Sequence, residues 1–159
     1  MEKIILNDIE RLWVMEMARN RYAYDRKLGL EATVYKDGVD NIDNEVNAYG
    51  AEVAYCKLFN LYPDLEHSYF MPFDAMHGDK STVDVKTTVL TNGRLLVKKK
   101  ERMNLPDEYA LMIGSYPIYT YIGHIEAGRL IRPENLDTKL KSPAYAARQS
   151  ELHKRQAYD

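Results

Sequence analysis

Cysteine is almost missing. Cys56 stands alone among 159 residues, which excludes an internal disulfide and any zinc site built on several thiolates. That scarcity fits a reducing, intracellular setting. No apolar run approaches the length of a membrane span, no hydrophobic signal segment opens the chain, and no low-complexity tract interrupts it. Excess positive charge is lacking as well: the net charge is −2, so the bulk figure does not announce a nucleic-acid binder.

What is there is globular. With 45% hydrophobic and 29% charged residues, the chain is expected to form a single domain over 1–159 around one core. Its 13 tyrosines divide between core positions and side chains able to stack on or hydrogen-bond to a ligand. Charge is unevenly spread. Residues 1–78 hold 8 Lys/Arg against 14 Asp/Glu, and residues 79–159 hold 14 against 10. A chain that meets DNA phosphates needs a local positive surface rather than a high total, so the asymmetry permits DNA binding.

Asn7-Asp8 is a capping signal for a helix from about Ile9 to Leu28, with Gly29 as its stop. Ile9, Leu12, Trp13, Met15, Met17 and Tyr24 give it a broad apolar face. Arg11, Arg19, Arg21, Arg26 and Lys27 lie mostly off that face and read as a solvated side. Glu31–Tyr35 reads as a short strand before the loop-like 36–41, whose acids lack the spacing of a calcium loop. A second helix, about Asn44 to Asn60, turns Val46, Tyr49, Val53 and Cys56 to the core and leaves Glu52 at the margin of that face, with Glu45 seven residues earlier on nearly the same side. Gly50-Ala51 just before Glu52 lets a neighbouring backbone come close.

His67–Pro72 is a further strand candidate. The Gly78-Asp79 turn leads into an alternating strand, Val83-Asp84-Val85-Lys86-Thr87-Thr88, on which Asp84 and Lys86 share one face. A carboxylate and a lysine side by side, with another acid upstream, can hold a hard divalent cation and steady the charge on a phosphate. Thr91-Asn92-Gly93 predicts a hairpin joining this strand to Arg94–Lys98. The basic run Lys98, Lys99, Lys100 and Arg102 would then lie one hairpin from Asp84, within reach of a phosphate backbone. Tyr109–Gly114 and Ile118–Ile125 read as strands, 127–135 as a turn or short helical piece, Ala144–Ala147 as a last strand and 149–152 as a closing turn. The order predicts an α/β (α+β) domain with a mixed sheet.

Glu52 on a helix, Asp79 at a turn, and Asp84 with Lys86 on the next strand together resemble the PD-(D/E)XK nuclease superfamily. A narrower likeness is to small phage-type members. It runs from about Glu45 to Leu152 through Gly50-Ala51-Glu52-Val53-Ala54, Asp84-Val85-Lys86-Thr87-Thr88, Gly123-His124-Ile125, Pro143-Ala144-Tyr145 and Gln149-Ser150-Glu151-Leu152. The resemblance implies a restriction-endonuclease-like mixed central sheet flanked by helices, and a metal-dependent DNA nuclease, more an endonuclease than an exonuclease. It implies Mg2+ or Mn2+ held by Glu52, Asp79, Asp84 and the carbonyl of Val85, with Lys86 assisting the attacking water. Lys98, Lys99, Lys100 and Arg102 would hold DNA. His77 is a proton relay or a loop histidine. Asp79 is favoured as second acid because it sits at the mouth of the strand; Asp74, ten residues before Asp84, keeps the spacing more common in the superfamily and is the alternative. With no apolar run of spanning length, no membrane association is expected; many relatives cut both strands as dimers, which leaves a homodimer open, and a phage-type member would act in a host cytoplasm. Two other readings stand beside it: a nuclease-fold DNA-binding or recombination accessory protein that does not cut, and a small phage protein that binds a host factor through its tyrosine-rich surface.

Overall fold

A capping box opens the first helix. Asn7 accepts from the Glu10 backbone N–H at 2.9 Å, and the Glu10 carboxylate accepts from the Asn7 N–H at 2.6 Å. In the computed structural model, which describes residues 3–29, 42–65, 73–99 and 104–156, this helix is α1 (Asp8–Lys27) and follows a short strand β1 (Lys3–Ile5). The second helix, α2 (Ile42–Leu58), packs beside it. Lys57 near the end of α2 reaches back to Glu10 at 2.8 Å and to the Ile5 carbonyl at 3.0 Å, tying the two helix ends together.

Next come β2 (Ala75–Met76), β3 (Thr82–Thr88), β4 (Leu95–Lys98), β5 (Glu108–Ser115) and β6 (Ile118–Glu126). A one-turn helix α3 (Ala127–Leu130), a 3-10 turn at Pro133–Asn135, β7 (Leu136–Asp137), β8 (Ala144–Ala147) and a second 3-10 turn at Gln149–Glu151 are the remaining elements among the described residues. The five-stranded sheet has the order β1-β6-β5-β3-β2, parallel between β3 and β5 and antiparallel elsewhere; β4-β8-β7 form a small antiparallel sheet. The fold is thus a mixed α+β arrangement of two N-terminal helices on a curled five-stranded sheet, with a small second sheet.

The unbroken apolar run of β5 follows from its place: it is buried on both faces. Ala110 and Met112 join Val83 and Val85 in the core under the helices, while Tyr109, Leu111 and Ile113 join Leu95, Ile122, Ile125 and Leu130 under the small sheet and α3. No helix among the described residues is long and apolar enough to cross a membrane.

Three expectations change here. First, the apolar face of α1 differs in part: Met15 and Met17 pack on the core as expected, but Ile9 is 79% and Leu12 73% exposed, and the buried stripe is Val14, Ala18 and Arg21. Ala18 is small, which suits close packing against a neighbouring helix; hydrophobicity alone did not set the face. Second, 90–93 does turn, with the Gly93 N–H on the Leu90 carbonyl at 2.9 Å, but it does not close a hairpin. β4 leaves for the second sheet, and Gln149 holds the turn by donating to the carbonyls of Thr91 (2.9 Å) and Gly93 (3.0 Å). Third, Gly50 makes room for a side chain: a Cβ there would collide with the Tyr119 hydroxyl. The strands expected at 31–35 and 67–72 lie outside the described residues, whereas β1, β2 and β7 were too short to read from sequence.

Candidate active site

β3 is the platform. Val83 and Val85 face the helices, so Asp84 and Lys86 face the other way, as the alternation of the strand requires. Among the described residues the strand on the outer side of β3 is β2, paired with Thr82 and Val83 alone. Beyond that pair the outer edge is met by a side chain instead: the Val85 N–H donates to the Asp74 carboxylate at 2.7 Å, while the Asp74 N–H donates to the Val83 carbonyl at 2.8 Å. A strand residue sends its N–H and its C=O to the same side, so the Val85 carbonyl points to the edge that Asp74 occupies.

Glu52 comes to this edge from α2. Its carboxylate accepts from Arg21 Nη1 at 3.0 Å, and the other guanidinium end lies 3.9 Å from Asp64. The Arg21 guanidinium also stacks over the Tyr49 ring at 4.2 Å. Lys86 is folded onto Asp84 in a short ion pair.

Burial and mutual repulsion set the charge states. Burial raises the Asp74 carboxyl well above the usual aspartate range, and the charges of Glu52 and Asp84 push it further, against the pull of Lys86 and of the Val85 N–H. Burial raises Glu52 too, with Arg21 opposing and Asp84 adding. For Lys86, burial alone would lower the ammonium pKa, but Asp84 and then Asp74 outweigh it and hold it above the ordinary lysine value. Four groups therefore act on one another: Glu52, Asp74, Asp84 and Lys86.

Asp79 stays outside this group. It is a local turn residue, accepting from the Ser81 N–H at 2.9 Å and the Ser81 hydroxyl at 2.6 Å, and it lies 3.7 Å from Arg155 with its side chain 56% exposed. Its hydrogen bonds from Ser81 hold its pKa below the usual range. Asp74, the alternative, is bonded to the backbone of β3 on either side of Asp84, at Val83 and Val85. His77 belongs to a separate aromatic cluster: its Nε2 is 2.8 Å from the Tyr55 hydroxyl and its ring meets Tyr55 and Phe59 edge-on. Burial lowers its pKa.

Lys98 and Lys99 are exposed at the end of β4, where the Lys99 N–H bonds the Pro143 carbonyl at 3.1 Å. Lys100 and Arg102 lie outside the described residues. Sequence reasoning missed Arg21, whose signal was its position three and seven residues after Ala18 and Val14 on one helical stripe.

The donors at the edge are all oxygens, from carboxylates and a strand carbonyl, which suits a hard divalent cation. Among the described residues, no group of three or more His, Cys, Asp or Glu side chains is arranged to hold a metal ion as it stands; cations of the chain itself, Arg21 and Lys86, sit on two of the three acids. No family model matches the chain, and no curated protein matches its sequence.

Proposed function

We propose that the chain is a metal-dependent DNA nuclease of the PD-(D/E)XK type with a restriction-endonuclease-like core, acting as an endonuclease on phosphodiester bonds. The observation that carries this reading is the bond between Asp74 and Val85: it brings an acid ten residues upstream against the strand that presents Asp84 and Lys86, with Glu52 close enough to feel their charge. Asp74 replaces Asp79 as the second acid in this reading.

Asp74, Asp84 and the Val85 carbonyl would hold Mg2+ or Mn2+. Bound there, such an ion supplies Lewis acidity to the scissile phosphate and lowers the pKa of a coordinated water. The chain's own residues do the rest. Lys86, kept cationic by its acidic neighbours, donates hydrogen bonds to the attacking water and to phosphoryl oxygens as negative charge builds on them. Glu52 and Arg21 fix the wall of the site. Lys98 and Lys99 hold the backbone of the DNA on the small sheet, with Lys100 and Arg102 continuing the basic run.

One observation favours a second reading, the non-cutting DNA-binding accessory protein: two of the three acids, Glu52 and Asp84, are already paired with Arg21 and Lys86. Cleavage of plasmid, linear and branched DNA with magnesium or manganese separates the two. Cutting that needs metal and disappears in Lys86→Ala and Asp84→Asn supports the nuclease. Salt-sensitive DNA binding without cutting at any metal concentration supports the accessory protein.

A further inference from the structure

Arg21 is a cation that the site cannot shed. It is 8% exposed, its charge is permanent, and its guanidinium is pinned between the Glu52 carboxylate at 3.0 Å and the Tyr49 ring at 4.2 Å. Among the described residues its Nε is buried with no hydrogen-bond partner, and the group is held by Glu52, by Tyr49 and, at 3.9 Å, by Asp64. Lys86 is different: its side chain is 34% exposed, long and rotatable, and it can swing off Asp84.

The three acids are therefore not equivalent. Asp74 is oriented by a backbone N–H, Asp84 by a lysine that can leave, and Glu52 by a fixed positive charge. Magnesium is commonly bound by one or two carboxylates, with waters and substrate phosphate completing its shell. Asp74 and Asp84 meet that need. A second ion would need Glu52, and it would have to sit against the guanidinium.

Building on the nuclease reading, we infer that the site takes a single divalent cation, on Asp74, Asp84 and the Val85 carbonyl, and that Arg21 stands in for a second one by neutralising Glu52. Arg21 is thus a positioning residue, and Glu52 is withheld from the metal.

Manganese titration of the full chain, followed by calorimetry and by the electron paramagnetic resonance signal of free Mn2+, tests this without any cleavage assay. The wild type is expected to bind one ion. Glu52→Gln, which can still accept from Arg21, should also bind one, with a dissociation constant within about tenfold of the wild type, whereas Asp84→Asn should bind none. Arg21→Met, where circular dichroism shows it folded, should gain a second ion as Glu52 becomes available. Two ions on the wild type, loss of binding in Glu52→Gln, or a folded Arg21→Met that still binds one would each overturn the inference and leave the nuclease reading standing. No manganese bound by any of these chains would overturn both.

Discussion

Replacing Asp74 by asparagine should make the protein more stable and, at the same time, blind to metal. Asparagine keeps an oxygen that can accept from the Val85 N–H, the 2.7 Å bond that orients Asp74. It removes a charge whose burial is opposed by Glu52 and Asp84. A carboxyl whose pKa is higher in the fold than in the unfolded chain, where it is about 3.9, favours the fold only at low pH. That contribution is lost as pH rises through the folded value. The wild type loses that contribution as pH rises, and an amide, which does not ionise, has nothing to lose. Against this stand the weaker neutral hydrogen bond, about 1 kcal/mol poorer than a charged one, and the lost attraction to Lys86. The net gain expected for relaxing such a functional site is about 0.5–2 kcal/mol, a rise in Tm of about 2–4 °C per kcal/mol for a chain of this size. Melting followed by circular dichroism, from pH 4 to pH 8, measures it: the advantage of Asp74→Asn should grow as pH rises. Magnesium at 100 times its dissociation constant should stabilise the wild type by about 2.7 kcal/mol and leave Asp74→Asn unmoved. A variant that melts below the wild type at neutral pH, or that keeps the full magnesium shift, would refute the assignment of Asp74 as a functional acid.

Truncating Glu52 to alanine strands Arg21 in the interior, and breaking a buried pair in this way should cost about 3–5 kcal/mol in urea unfolding; Glu52→Gln should cost clearly less. Gly50→Ala sets a methyl against the Tyr119 hydroxyl and should cost about 1–3 kcal/mol, with part of that recovered in the double variant Gly50→Ala/Tyr119→Phe, as thermal melts of the four chains would report. Removing Lys98 or Lys99 should weaken DNA binding by a similar factor on every sequence and reduce the slope of log K against log salt by about 1 for each phosphate that the side chain had neutralised, measurable by fluorescence anisotropy.

Much of this architecture was legible because period and turn chemistry are local properties. α1, α2, β3, β5, β6 and β8 emerge where the alternation or the helical spacing places them, and the Asn7 cap is found where its side chain predicts it. What was misjudged depends on partners distant in sequence. Asn92-Gly93 does mark a turn, but a turn signal cannot say that β4 pairs with β8 rather than with β3. Ile9 and Leu12 look like core residues and Arg21 like a surface one, yet the stripe of α1 that is buried is Val14, Ala18 and Arg21. Glu52, on the facing helix, compensates the buried guanidinium, and one stretch of sequence cannot display that pairing. The same limit applies to Asp74 and Asp79 in the proposed site. Asp79 has the stronger local signature, a glycine before it and a serine two residues after, but that signature describes a side chain spent on its own turn. Asp74 has only its spacing to Asp84 as a signal; its carboxylate accepts from a backbone amide eleven residues on.

The separation of β4 from its partner also orders events during synthesis. The two helices and the strand bearing Asp84 and Lys86 leave the ribosome early, but β4 must wait for β8, a delay of roughly 2–10 s at typical elongation rates. Through that interval Leu95, fully buried in the finished protein, has neither its strand partner Ala147 nor the later-made residues of its core. The nascent chain thus carries an unpaired apolar strand in its middle through that interval, and slower translation over residues 99–143 would lengthen the exposure of that strand to chaperones and to neighbouring chains.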